Sequence, residues 1–300
     1  MKSCRPFLFA TLAALATPLV AQVEDAVTPP KPPAKEASSL TSEDEKDEPK
    51  GGIPKDLIDD EQHLREELAV NEFTAPSISK MFDTLQDLMP LPIAEVNRKM
   101  PDRMPLDRAD VAIEIGFLIA DGFLIVQAEQ LDRVEGLAKD LTRYGKSIGA
   151  GERVQGHSAA LLDAAKKKDV KQLKKELTAT QRDVETELVS LRDADLAHLI
   201  SLGGWIRALE VASVAVDNQW GAERARKVMR EDIADYYTES VGGLEPKISE
   251  RANYRAMRDE LSTLRTAMVL GEGVDPTPEQ MKDIRKHAAK LVELALTRQQ

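Results

Sequence analysis

The chain has 300 residues, of which 42% are hydrophobic, 31% charged and only 4% aromatic, and its net charge is −11. That length can bury a sizeable core, and few aromatics with many helix formers argue against a β-sandwich. The acidic balance argues against binding nucleic-acid phosphates, and no basic patch with interleaved aromatics is present.

Residues 1–21, MKSCRPFLFATLAALATPLVA, place Lys2 and Arg5 before an apolar stretch of about ten residues and a small residue for cleavage. This is the pattern of a secretory signal peptide. It is shorter than the roughly 20 residues that span a bilayer. Cys4, the only cysteine, precedes the apolar stretch, whereas a lipidated cysteine would follow it. Cleavage would leave a chain without cysteine, held by its core rather than by disulfides. It would also remove two basic residues and no acidic one, taking the net charge from −11 to −13. The expected location is the periplasm, or secretion, of a Gram-negative-type bacterium.

Residues 22–56 carry Pro clusters, an acidic run and Gly51-Gly52 without apolar periodicity, so a disordered linker is expected. From 57 to 300 the patterning predicts an all-α fold, an elongated helical bundle with coiled-coil-like packing. Short helices are expected within 57–105, at 57–71 and 77–89, with Pro90, Pro92, Pro101 and Pro105 as breaks. The main bundle, 107–300, opens with a long helix at 107–144. A Gly-rich turn at 145–156 follows, in which Gly145, Gly149 and Gly151 supply positive φ. The next helical region is 157–218. Within it Val170, Leu173, Leu177, Val184, Leu188 and Leu191 draw one apolar stripe. Helices at 221–241 and 246–270 come next. The last begins at Thr277-Pro278-Glu279-Gln280, a capping box with Pro at the first helical position.

Motifs for chemistry fail on context. Gly145-Lys146-Ser147 has the end of a phosphate loop, but Asp140 stands where the first glycine belongs, and the tripeptide ends a helix rather than opening one. The 4 histidines do not pair at metal-binding spacing, and the acidic run 59–61 lacks a calcium loop's alternation and glycine. G-x-S-x-G is absent. No metal or cofactor is expected.

Residues 107–128 are the most apolar after the leader, yet contain Asp110, Glu114 and Asp121. Each acid near a bilayer centre costs about 2.5–3.5 kcal/mol, so no transmembrane helix is expected after cleavage. Glu114 and Asp121, seven apart, share a face. On the opposite side Ala112, Gly116 and Ala120 form a ridge of small residues. If that ridge is core, the acids face solvent or a second layer.

The run 197–212, AHLISLGGWIRALEVA, holds a second ridge: Gly204, Ala208 and Ala212, with Gly203 adjacent. Glycines here cost about 1 kcal/mol each in helix propensity. Two side-chain-poor ridges crossing at the short end of the usual 8–10 Å separation would offset that cost. The expectation is that Gly203-Gly204 marks the crossing of two central helices. Trp205, His198, Arg207 and Glu210 lie near it. The plain reading is a buried Arg207–Glu210 pair. The sharper one is a pocket where Arg207 holds an anion, Trp205 stacks and His198 donates a hydrogen bond.

With no catalytic constellation, the expected role is non-catalytic: binding or scaffolding an envelope protein or envelope component, compatible with a homo-oligomer. Two alternatives stand beside it, a small-ligand or metal carrier built on Trp205, Arg207 or His198, and an envelope enzyme with a dispersed carboxylate site at Glu114 and Asp121.

Overall fold

A computed structural model describes residues 77–99 and 103–298, and no strand occurs among them. The expected leader, linker and helix at 57–71 lie outside these residues. In chain order the helices are α1 (Ile78–Gln86), α2 (Ile93–Val96), α3 (Arg108–Gln127), α4 (Val134–Ser147), α5 (Gly151–Lys167) and α6 (Val170–Ser190). They continue with α7 (Ala194–Asn218), α8 (Ala222–Val228), α9 (Glu231–Gly243), α10 (Pro246–Ser249), α11 (Ala252–Met268) and α12 (Pro278–Leu296).

Two helices make the centre. α3 and α7 are buried around nearly their whole circumference and pack on each other more extensively than any other pair. A helix that is apolar all round belongs inside a protein or a membrane. α7 is long and apolar enough to cross a membrane by length and composition, but 94% of its apolar window is buried within this fold. Around the pair, α4, α5 and α6 follow as successive antiparallel neighbours, with α6 returning to α3 and α7. On the other side α9 packs on α11, α11 on α12, and α12 back on α7. These outer helices are amphipathic. In α6, Leu173, Leu177, Val184 and Leu188 are fully buried, whereas the ends of that stripe, Val170 and Leu191, are exposed.

Helix breaks depart from expectation where the chain turns without glycine. The 107–144 helix divides at Glu129, whose backbone is left-handed (φ 55°), and the Gln130 amide reaches back to the Ile125 carbonyl. The 157–218 region divides at Lys168 (φ 55°) and Arg192 (φ 58°) in the same way. Left-handed backbone in non-glycine residues carries no sequence signature as clear as glycine's. Conversely, of the three glycines expected to supply positive φ, only Gly149 does (φ 96°); Gly145 and Gly151 are helical. The 221–241 helix is interrupted at Met229-Arg230, and α9 runs through Gly242 and Gly243 instead of stopping at them. The capping box is formed: the Gln280 amide donates to Thr277 Oγ1 at 3.2 Å and the Thr277 amide to Gln280 Oε1 at 2.9 Å.

Candidate functional site

At the α3–α7 crossing the two backbones touch. A Cβ built on Gly116 would collide with the Ile200 carbonyl oxygen and stand 2.7 Å from the Gly204 nitrogen, and one on Gly203 would collide with the Ile113 carbonyl. Neither carbonyl can move without breaking a helix. Gly203 is thus the glycine of α7 that faces α3. The missing side chain of Gly204 makes room for a third element, the Ile78 side chain of α1. Ala112 and Ala120 are fully buried on α3. The ridge expected on α7 turns away: Ala208 and Ala212 line a groove instead.

The acids of α3 are held in ion pairs rather than left to solvent: Asp110 and Glu114 are buried, and Asp121 is 14% exposed. Glu114 is fully buried, accepting from Arg98 and, at 2.5 Å, from Arg298. Asp121 accepts from Arg98 at 2.9 Å through one oxygen and from Arg207 at 2.8 Å through the other. Arg207 also donates to Glu210 and to the Val96 carbonyl. Arg251 bridges Asp107 (2.9 Å) and Asp110 (2.7 Å) at the start of α3. Buried charge must be paired to be tolerated. Burial works against the Arg98 charge, but Asp121 and Glu114 outweigh it and hold its pKa above the ordinary value. Burial pushes the Asp110 carboxyl up despite Arg251.

These arginines are the second layer foreseen for the acids, though not by name. Acids in an apolar helix demand cations, but nothing in the sequence selects Arg98, 16 residues away from Glu114, or Arg298, 184 away, from 41 Lys and Arg.

The four residues expected to share a pocket divide among three places. Arg207 and Glu210 belong to the ion network. His198 Nδ1 lies 3.1 Å from the Tyr236 hydroxyl. Trp205 packs on Tyr237, ring centroids 5.1 Å apart, and lines the groove. Of the four, only Trp205 borders that groove.

The groove measures about 350 Å³, within the roughly 300–1,000 Å³ of small-molecule sites. Its walls are α1 and the α8–α9 segment, and its floor is α7. Ile78 meets Gly204 at one end, and Arg224 donates to the Leu88 and Ala215 carbonyls at the other, so α1 lies alongside α7 and parallel to it. Leu85, Trp205, Ala208, Leu209, Ala212 and Ile233 give an apolar lining, while Lys80, Lys227, Arg230 and Asp232 supply its charged groups. The Lys227 ammonium is 2.5 Å from Asp87, and Arg230 makes two bonds to Asp232 at 2.8 and 2.6 Å. Lys80 is exposed and forms no ion pair among the described residues. The groove escaped sequence analysis because three segments far apart in the chain build it.

Elsewhere, His157 on α5 sits 2.9 Å from both Glu176 and Asp183 of α6, a polar clamp between neighbouring helices. Among the described residues no group of three or more His, Cys, Asp or Glu is arranged to hold a metal. No protein-family model, curated protein or solved structure matches the chain.

Proposed function

We propose that this is an exported, non-catalytic binding protein of the cell envelope, and that its working surface is the groove beside Trp205. The groove is the single observation that carries the reading. An apolar recess of small-ligand size, floored by a rigid buried helix, is what a carrier needs. It favours the small-ligand alternative over the scaffold that the sequence put first. Export rests on the leader-like pattern of residues 1–21.

The enzyme reading loses its support in the ion network. A general base must be free to take a proton. Glu114 and Asp121 are each engaged by two guanidinium groups, which holds their lone pairs in salt bridges, and the recess that Asp121 borders has only about 10 Å³, too little for a substrate. Arg207 is committed to Asp121 and Glu210, so it is no anion hook either.

Native mass spectrometry of protein purified from the envelope fraction tests the reading. The expected result is an added mass lost on denaturation and lost again when Ala208→Phe fills the groove. A bare mass in both the native chain and the variant would return the scaffold reading to first place, with crosslinking to envelope proteins as its test.

A further inference from the structure

We infer that the groove takes an amphipathic monoanion: a straight acyl or alkyl chain with one negative head. The inference rests on the binding reading above and adds the ligand's chemistry.

Four observations meet. The floor and inner walls are mainly hydrocarbon, and the one neutral hydroxyl among them, that of Thr84, donates to the Lys80 carbonyl, so they select a partner with few hydrogen bonds to make there. The recess follows α1 alongside α7 over residues 80–88, about two helical turns or 12 Å, which suits an extended chain better than a compact ring system. The rim is basic in a chain of net charge −11: Lys80, Lys227 and Arg230 line it against one carboxylate, Asp232.

The fourth observation concerns which of these charges is available. Asp87 engages Lys227 and Asp232 engages Arg230, while Lys80 has no ion pair among the described residues. One ammonium that no described carboxylate engages, at the mouth of an apolar recess, matches one anionic head. A free fatty acid and a lysophospholipid share this chemistry. Its geometry also lets the head stay wet while the chain is buried, so no charge needs desolvation.

The test is isothermal titration calorimetry of the full chain with decanoate, dodecanoate and dodecyltrimethylammonium, each below its micelle concentration, and with dodecanol below its solubility limit. Each added methylene should tighten binding about 4-fold, so dodecanoate should bind about 15-fold tighter than decanoate. Lys80→Gln should weaken dodecanoate by about 3–5-fold, the scale of an exposed ion pair, and leave dodecanol unchanged. Ala208→Phe, which blocks the floor without touching the rim, should abolish binding of both.

If dodecanol or the cation binds as tightly as dodecanoate, the anionic class is overturned while the groove survives as a binding site. Equal affinity of decanoate and dodecanoate would overturn the chain. If none of the four binds, or if Ala208→Phe leaves affinity intact, the groove reading falls with the ligand class. A separate titration with lauroyl lysophosphatidylglycerol, matched to dodecanoate in chain length and kept below its micelle concentration, separates the two sources: tighter binding than dodecanoate assigns the head to a phosphodiester, weaker binding to a carboxylate.

Discussion

The two sides of α7 around Gly203-Gly204-Trp205 make opposite use of small residues. Toward α3, Gly203 meets the Ile113 backbone and Gly116 the Ile200 carbonyl, and the backbones close on each other with no room for one carbon. Toward α1 and α9, Ala208 and Ala212 carry only one carbon each, yet a groove of about 350 Å³ remains. A small residue removes volume from one helix only. Whether the space closes depends on whether the facing helix is also free to approach. Against α3 it is. Beside Ala208 the neighbours are held off, because Trp205 packs at a tilt on Tyr237 and Arg224 pins the far end of α1. The same ridge pattern therefore yields a dry crossing on one face and a recess on the other.

The largest test attacks the closed side. Gly116→Ala and Gly203→Ala each push a methyl into a helical carbonyl that cannot yield, so each should cost at least about 3 kcal/mol, and Gly116→Leu should abolish cooperative urea unfolding. Gly204→Ala presses on the Ile78 side chain instead of backbone and should cost roughly half as much. Equal midpoints for the Gly204 and Gly203 variants in urea melts would mean that the closed side is not the α3 face.

Next in size is Glu114→Gln, behind that crossing. The side chain is fully buried, and neutralising it leaves Arg98 and Arg298 without their shared counter-charge. Breaking such a pair costs about 3–5 kcal/mol when the remaining charge cannot escape. Arg298 is 28% exposed, so it can swing to water and the lower end is expected. The double variant Glu114→Gln with Arg298→Gln should then recover part of the loss. No recovery in a double-mutant cycle would show that the two do not couple.

A change of about 1 kcal/mol is expected from Asp107→Ala. Asp107 caps α3, accepting from the amides of Ala109 (2.9 Å) and Asp110 (3.2 Å). Burial tends to raise its pKa, but the Asp110 amide and Arg251 outweigh that and hold it below the ordinary 3.8. A depressed folded pKa contributes stability above the unfolded value and loses it as pH falls through the folded one. The gap between wild type and variant should thus hold at neutral pH and close below about pH 3.8. Asp110, raised by burial, has the opposite sign. A gap that stays constant down to acid unfolding would remove the cap and its arginine as the cause.

How much of this was legible follows from the range of each signal. The all-α class, the Thr277 capping box and the burial of α3 and α7 follow from local pattern, and Gly116 and Gly203 from the thermodynamic oddity of glycine in a helix. The turns at Glu129, Lys168 and Arg192 were illegible because their left-handed backbone is set by packing of the flanking helices rather than by residue type. The partners of Glu114 were illegible because charge pairing across 184 residues leaves no spacing to read. The groove needed both: a ridge that was visible, and the knowledge that no helix fills it.

The smallest expected effect bears most directly on the contrast between the two sides. Ala212→Leu adds three carbons on the same helix as the Gly203 substitution, nine residues or two and a half turns further on and so on the opposite face, into the groove. If the space is open, the new methyls find the Leu85 and Leu209 side of the recess rather than a carbonyl. Burying apolar surface there offsets the side-chain entropy lost, so stability should move by no more than about 0.5 kcal/mol in either direction. A loss above about 2 kcal/mol in the same urea melts would mean that the walls have closed in solution. The two faces of α7 would then be one continuous core, and no recess would remain for a ligand. A near-zero change beside a severe one two and a half turns away would show that α7 is built as a core helix on one face and as the floor of a site on the other.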